Sequence, residues 1–398
     1  MSLQLINRSP DLKKLQDEGF EIEIRSGHLL VKNVPYLNTH KQVRRGTLIS
    51  TLTLAGDKTA TPDDHQAHFL GEVPCHEDGT PNGKILNQSG RRVLGSGVEI
   101  DHSFSAKPKG NGGRYVDYYE KVTTYVAILS GPAQAVDRSV TARTFAAIPA
   151  GDESVFKYVD TASSRAGIGV VSAKLAGGRI GILGLGGTGA YVLDQVAKTP
   201  VDEIHLFDGD LFLQHNAFRS PGAASLEDLA KQLNKAEYFG QQYSKMRNGI
   251  VVHPYMVDSS NVEGLRTMSF VFLCIDDGPS KKVIIERLEA WKIPFVDVGI
   301  GVFVVDGKLG GVVRVTASSE QNRKHIQEKG RISFGEAGDG NEYQKNIQIA
   351  DLNGLNAMLA VIKWKKMMGF YLDLEREHHS TYTIDGNALS NEDKVDEA

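Results

Sequence analysis

The sequence has little cysteine, no long apolar run and no large excess of charge of either sign. Its two cysteines, Cys75 and Cys274, cannot form a disulfide framework or a four-cysteine metal site, so we expect a cytoplasmic protein. Residues 1–14 lack the apolar core of a secretion signal. Apolar runs such as Phe270 to Ile275 fall far short of the ~20 residues that cross a membrane. We therefore expect a soluble protein without a membrane partner.

Charge and composition narrow the class of protein further. The 45 Lys and Arg residues against 49 Asp and Glu leave a net charge of -4, which does not favour binding to nucleic acid. A content of 40% hydrophobic and 24% charged residues is typical of globular proteins, and at roughly 150 residues per domain 398 residues predict two or three domains. The 42 glycines exceed the usual share of ~7% and indicate turns or close backbone approaches.

The character of the sequence changes near residue 150. Residues 1–150 contain runs rich in β-formers, such as Val122 to Leu129, and a segment from Asp78 to Gly113 whose residues favour long loops. We predict that they form a smaller, mixed but mostly β accessory domain, with a role in recognising a carrier or partner. Residues 151–398 alternate short apolar runs with helical segments, which predicts an α/β domain with a doubly wound, mainly parallel sheet.

The elements of this second domain can be placed along the chain. Strands are predicted at Arg179 to Leu183, Glu203 to Phe207, Ser269 to Ile275 and Phe295 to Val298. Helices are predicted at Val155 to Ala176, Ala190 to Val196 and Asp351 to Met368, with a long mobile loop from Ala317 to Lys345.

A glycine-rich segment joins the first of these strands to its helix. Gly184, Gly186, Gly187 and Gly189 follow a GxGGxG pattern, and Asp208 comes directly after the next strand. Such glycines let backbone N–H groups approach a phosphate at a helix N-terminus, and the acidic residue can bind ribose hydroxyls. The pattern predicts a nucleotide site, and NAD- or FAD-dependent oxidoreductases share it.

The charged residues that follow favour a different chemistry. Asp210, Asn216, Arg219, Lys235 and Asp276 occur in that order. An enzyme that joins a carboxylate to ATP needs such groups, because negative charge develops on the α-phosphate and on the departing pyrophosphate. Arginine and lysine supply fixed positive charge, and a carboxylate at the end of a strand can hold Mg²⁺.

With these motifs, residues 155–372 resemble the ThiF/MoeB and ubiquitin-activating-enzyme superfamily of adenylyltransferases, in which they recur in the same order. The resemblance implies an enzyme that uses ATP and Mg²⁺. It also implies a role for each residue: Asp208 binds ribose, Asn216 and Arg219 contact the phosphates, Lys235 lies beside them on the nucleotide, and Asp276 binds Mg²⁺.

The same resemblance implies a substrate and partners. The enzyme would adenylate the C-terminal carboxylate of a small ubiquitin-like protein, as the first step of a bacterial-type conjugation or sulfur-transfer pathway with a downstream conjugating enzyme. It would act as a homodimer, in which Arg165 matches an arginine that such dimers lend to the partner's site.

The chain departs from the superfamily's pattern at four places. Arg219 is followed by Ser220 instead of Gln, and Asp276 by Asp277 instead of Asn. The paired CxxC zinc motif is absent, and the segment 317–345 contains no cysteine to accept the acyl group. We expect Cys274 to lie in the core, where it cannot receive the acyl group. The acyl acceptor would then be Cys75, a hydroxyl or a separate protein, and we favour the separate protein.

Other functions remain open at this point. An NAD- or FAD-dependent oxidoreductase would use the glycines and Asp208 but would need neither Arg219 nor Lys235. A non-catalytic scaffold that binds a ubiquitin-like protein, or a cyclising tRNA-modifying relative, would keep the fold. The first domain contains a cluster of three histidines and one cysteine, namely His65, His68, Cys75 and His76. The spacing of these four residues fits no standard zinc site.

Overall fold

The computed structural model describes residues 2–95, 97–151, 154–334 and 347–395, without the side chains of residues 2–4, 164 and 165. The chain divides between Ile148 and Pro149 into two compact units. In the described residues, no helix is both long and apolar enough to cross a bilayer.

The first unit is built around an antiparallel sheet. Its helices are α1 (Ser2–Arg8), α2 (Pro10–Asp17) and α3 (Tyr118–Val136). Its strands are β1 (Glu21–Arg25), β2 (His28–Leu37), β3 (Val43–Thr51), β4 (Leu54–Ala55), β5 (Lys58–Thr59), β6 (Gln66–Leu70), β7 (Leu86–Leu94) and β8 (Val98–Ser105). Six strands form one sheet in the order β1-β2-β3-β6-β8-β7, while β4 and β5 pair separately.

Helix α3 corrects the prediction of a strand from Val122 to Leu129. Val122, Tyr125, Val126 and Leu129 are all buried and recur at the spacing of one helix face, which the β-branched composition of the run conceals. The side chain of Asp117 caps the helix by accepting the N–H of Glu120 at 2.8 Å.

The prediction of long loops between residues 78 and 113 is also wrong in part, because β7 and β8 lie there. β7 is the edge strand of the sheet and has no buried residue along its nine positions. An edge strand of this kind tolerates polar residues that are also typical of loops, so composition alone does not distinguish the two.

The second unit alternates helices and strands. Its helices are α4 (Thr161–Ala166), α5 (Gly169–Ser172), α6 (Gly187–Val196), α7 (Gln214–Ala217), α8 (Leu226–Ala230), α9 (Lys235–Tyr243), α10 (Gly278–Ala290), α11 (His325–Glu328) and α12 (Ala350–Met367). Its strands are β9 (Arg179–Leu183), β10 (Glu203–Phe207), β11 (Ile250–His253), β12 (Phe270–Leu273), β13 (Phe295–Val305), β14 (Lys308–Ser318), β15 (His379–Thr383) and β16 (Ala388–Glu392).

These strands form one sheet in the order β11-β10-β9-β12-β13-β14-β15-β16. The first five run parallel, and β14, β15 and β16 continue the sheet as antiparallel strands. The α/β fold class with a mainly parallel sheet is therefore confirmed, as is the mostly β first domain. The antiparallel extension was not predicted.

Both faces of this sheet are covered, which is why its central strands are continuously apolar. In β12, Phe270 and Phe272 pack into a core with residues of α6 and α12. The alternate residues Val271 and Leu273 pack into a second core with residues of α10. The carboxyl ends of β9, β10 and β12 lie side by side at one edge of the sheet, where ligands bind in doubly wound folds.

Two predictions in this unit need correction. The single helix expected from Val155 to Ala176 is instead the short helices α4 and α5, separated by Gly167 at a φ of 68°, a backbone angle that ends a helix. The loop expected from Ala317 to Lys345 begins within β14 and contains α11. Its remainder from residue 335 lies outside the described residues.

Candidate active site

A cleft of about 650 Å³ lies at the carboxyl edge of the parallel strands. It is lined by residues that follow β9, β10 and β12 and by residues of β13 and β14. Eight of the ten predicted site residues line it, while Gly189 and Asn216 do not. The eight are Gly184, Gly186, Gly187, Asp208, Asp210, Arg219, Lys235 and Asp276.

A side chain would meet different surroundings at each of the four glycines of the loop. A Cβ at Gly184 would lie 2.5 Å from the carbonyl oxygen of Cys274, and one at Gly189 only 1.8 Å from that of Gly184. A Cβ at Gly187 would lie 2.0 Å from Nδ2 of Asn353, whereas one at Gly186 would meet nothing within 4 Å. Three of these glycines therefore allow the loop to pack against the protein itself, while Gly186 has open space at its Cβ position.

Helix α6 begins inside this loop. Gly187 and Thr188, in its first turn, line the cleft. The first N–H groups of a helix have no partner within it and carry partial positive charge, so this end can bind an anion. The hydroxyl of Thr188 donates to Oδ1 of Asn353 at 3.0 Å, which ties the start of α6 to α12.

A first ionic group, the Asp208 cluster, consists of Asp208, Asp210 and Lys235. Nζ of Lys235 lies 2.6 Å from Oδ2 of Asp210 and 3.7 Å from Oδ1 of Asp208. Asp208 is almost fully buried and accepts the N–H groups of Leu185 at 2.6 Å and Asp210 at 2.9 Å. Burial raises the pKa of Asp208 above its usual value. Since an ionised carboxylate has about four acceptor sites, two remain after these bonds.

Arg219 and Asn216 come from the connection after β10. Arg219 lines the cleft. Asn216 is buried, and its Oδ1 accepts the N–H of Leu213 at 2.8 Å, a bond that holds the start of α7. The structure therefore places Arg219 at the cleft and uses the side chain of Asn216 to shape the loop that presents it.

Two aspartates follow β12. Asp276 is exposed and lines the cleft. Asp277 accepts the N–H of Ser280 at 3.2 Å and so caps helix α10. Both aspartates line the cleft, and Asp277 also stabilises the adjoining helix.

A second ionic group, the Asp297 cluster, was not predicted. It consists of Lys281, Asp297 and Arg314, from α10, β13 and β14. Asp297 is completely buried; Nζ of Lys281 lies 2.9 Å from its Oδ1, and Nη2 of Arg314 donates to its Oδ2 at 2.6 Å. Lys281 and Arg314 line the cleft. The sequence signal was Asp297 itself, a charged residue inside the apolar run Phe295 to Val298.

The two cysteines are poor nucleophiles in this structure. Cys274 packs against the core of the sheet, as expected, but it also lines the cleft and is only partly buried. Burial, with the carboxylate of Asp297 nearby, nevertheless raises the pKa of its thiol strongly. Cys75 is buried, and burial raises its thiol pKa too.

Two residues of the first unit's histidine group have hydrogen-bond partners. Nε2 of His65 lies 3.0 Å from Oγ of Ser105, and Nδ1 of His68 lies 3.0 Å from Oγ of Ser103. Across the described part of the chain, no group of three or more His, Cys, Asp or Glu side chains is placed to hold a metal. Arg165 lies in α4, but its side chain is outside the description, so its role in a partner's site stays a prediction.

Comparison with known proteins gives two family matches. Residues 10–161 match a domain of unknown function, DUF6791, and residues 164–377 match the ThiF family. No curated protein sequence matches the chain.

Similar solved structures include Escherichia coli MccB with ATP, at 18% identity and a TM-score of 0.44, covering 57% of this chain and 66% of that one. They also include PaaA, at 15% identity and a TM-score of 0.43, covering 56% of this chain and 75% of that one. The matched region thus spans slightly less than two thirds of MccB. Because the ThiF match covers more than half of its residues, the chain belongs to the ThiF family.

Proposed function

We propose that this protein adenylates a carboxylate with ATP, and that its substrate is the C-terminus of a small ubiquitin-like protein. The observation that carries the proposal is the meeting of Arg219, Lys235 and Asp276 in one cleft with Gly186, which has open space at its Cβ position. A site that binds only a dinucleotide needs the glycine loop and an acidic residue; it does not need two further cations facing the loop.

In the proposed reaction, a carboxylate oxygen of the substrate attacks the α-phosphorus of ATP. The bond from that phosphorus to the bridging oxygen of pyrophosphate breaks, which gives acyl-AMP and pyrophosphate. Arg219 and Lys235 stabilise the charge that passes to the pyrophosphate, and the first turn of α6 binds phosphate oxygens through its N–H groups. Positioning and charge stabilisation supply most of the acceleration in such displacements.

The residues present fit a magnesium ion. Mg²⁺ is usually bound by one or two carboxylates together with substrate phosphates, and does not need a cage of protein ligands. Asp276, exposed at the cleft, is the residue that would hold it. The ion would supply neutralisation of phosphate charge during the reaction.

The acyl group then passes, in this proposal, to a separate protein. Both thiols of the chain have raised pKa values, and the thiolate is the form that attacks an acyl group. An acceptor on a downstream conjugating enzyme meets this requirement without a change in the fold.

The test is exchange of labelled pyrophosphate into ATP with candidate ubiquitin-like proteins. Wild type should catalyse exchange that depends on the carboxylate, and Arg219→Ala and Asp276→Ala should each abolish it. Arg266→Ala and Asp385→Ala remove matched charges that are exposed and should leave exchange intact. Unchanged exchange in both cleft variants, or reduction of NAD by the wild type, would refute the proposal.

A further inference from the structure

The cations of the cleft fall into two groups on opposite sides of the glycine loop. Arg219 and Lys235 follow β10, while Lys281 and Arg314 belong to the Asp297 cluster at β13 and β14. In the sheet, β9 and β12 separate β10 from β13. The loop after β9, where the phosphates are proposed to bind, therefore lies between the two groups.

The two sides of the glycine loop would have different roles in adenylation. In an in-line displacement, the attacking and leaving oxygens lie on opposite sides of the phosphorus. If pyrophosphate departs towards Arg219 and Lys235, the attacking carboxylate must approach from the side of β13 and β14. That side needs positive charge of its own, because two anions repel each other as they approach.

The Asp297 cluster provides this charge in a fixed geometry. Its two cations and one carboxylate leave a formal charge of +1. The Arg314 guanidinium is bound at two points: Nη2 donates to Asp297, and Nη1 donates to Oγ1 of Thr316 at 2.7 Å. A guanidinium has five N–H donors, so three remain, and its side chain is 22% exposed in the cleft.

Strand β13 leaves room for the side chain of Arg314. Gly299 is paired with Arg314 across β13 and β14, and a Cβ at Gly299 would lie 2.8 Å from Nη2 of Arg314. The carbonyl oxygen of Gly299 accepts Nδ2 of Asn356 at 3.1 Å. Glycine thus leaves room for the guanidinium beside a strand that α12 holds in place.

We propose that Arg314, which is hydrogen-bonded to Asp297, binds the carboxylate of the acyl substrate, an extended peptide C-terminus. This inference rests on the proposed adenylation and deepens it by naming the group that receives the second substrate. Arginine suits the task because its planar donors match a carboxylate, whereas lysine offers only a point charge.

The experiment measures a preference for carboxylate over carboxamide. Full-length protein is immobilised with the non-reacting analogue AMPCPP and Mg²⁺. It is then exposed to an equimolar mixture of one random hexapeptide pool with free C-terminal carboxylates and the same pool as carboxamides. Mass spectrometry of the retained peptides gives the ratio of the two forms, in which the contribution of the side chains cancels because both pools contain the same sequences.

We expect wild type to retain the carboxylates with a preference of about 10- to 100-fold, the range of a hydrogen bond to a charged group. R314Q should bring the ratio close to one, and R314K should retain part of the preference. K308Q removes an exposed cation of the same strand outside the cleft and should behave as wild type.

Three results would overturn the inference. Wild type could show no preference, R314Q could keep the wild-type preference, or R314Q could lose AMPCPP affinity as fully as R219Q, which would place Arg314 on the nucleotide. Failure of the proposed function is distinguishable, because wild type would then catalyse no carboxylate-dependent exchange of pyrophosphate into ATP, and the inference would fall with it.

Discussion

The Asp208 cluster and the Asp297 cluster are built from the same kinds of residue in opposite proportions. The first has two carboxylates around Lys235, and Asp210 is largely exposed. The second has two cations around a carboxylate that is completely buried. Both clusters contain a buried carboxylate, but the Asp208 cluster carries a formal charge of -1 with an exposed second carboxylate, whereas the Asp297 cluster carries +1 around a single, fully buried one.

The largest expected effect follows from that buried charge. Asp297→Asn leaves Lys281 and Arg314 close together without their carboxylate, and breaking a buried ion pair in this way costs about 3–5 kcal/mol. Asp210→Asn removes a carboxylate whose side chain is 58% exposed, where water screens the pair and the cost is at most about 1 kcal/mol. Urea denaturation of both variants measures the difference. Equal decreases in the free energy of unfolding would show that stability does not depend more on Asp297 than on Asp210.

The glycine loop between the clusters offers the next test. Gly189→Ala places a Cβ against the carbonyl of Gly184 and should lower the free energy of unfolding by about 2–3 kcal/mol. Gly186→Ala meets open space, so its stability should stay within about 0.5 kcal/mol of wild type. Its affinity for ATP should nevertheless fall, because the added methyl group occupies the side from which phosphate approaches.

Calorimetric titration with ATP and thermal denaturation separate these two outcomes. If Gly186→Ala binds ATP as wild type does, the loop does not contact the phosphates in the proposed way. If Gly189→Ala is fully stable, the close packing of the loop is not required.

The smallest effect concerns pH and belongs to the Asp208 cluster. The pKa of Asp208 is raised in the folded state by burial, so above about pH 4 the folded carboxyl holds its proton when the unfolded one has lost it. More protons bound to the folded state mean that stability falls as pH rises through this window. Asp208→Asn cannot titrate, so the stability of wild type relative to this variant should decline from about pH 4 upwards.

Denaturation midpoints measured at several pH values between 4 and 7 test this slope. The absolute stability of the variant is not the readout, since asparagine cannot accept both backbone N–H groups that Asp208 binds. A wild-type advantage that grows with pH would mean that the pKa of Asp208 is lowered instead.

The sequence predicted those parts of the molecule in which local pattern and tertiary role agree. β9 and β10 have the predicted bounds, because both are short, apolar and followed by the loop glycines or Asp208. The same motif led to the Asp208 cluster. Helix α3 was missed because its β-branched residues favour a strand locally, while the burial of Tyr125 and its helix neighbours decides the outcome.

The Asp297 cluster could not be found in this way. Its three members come from a helix and two strands, at positions 281, 297 and 314, and no short pattern joins them. The ion pair between Asp297 and Arg314 forms only when β13 and β14 form their antiparallel ladder and place Arg314 beside Gly299. A charged residue in an apolar strand was the only local sign, and it does not reveal its partners.

The contact between Thr188 and Asn353 has a consequence for the synthesis of the chain. It joins residues 165 positions apart, and Asn353 also occupies the space beside Gly187. At roughly 5–20 residues per second, a ribosome completes α12 about 9–36 s after the glycine loop has been made. Throughout that interval the nascent loop lacks the side chain against which it packs. We therefore expect the glycine loop to be less ordered in a chain released before α12 is complete than in the full chain.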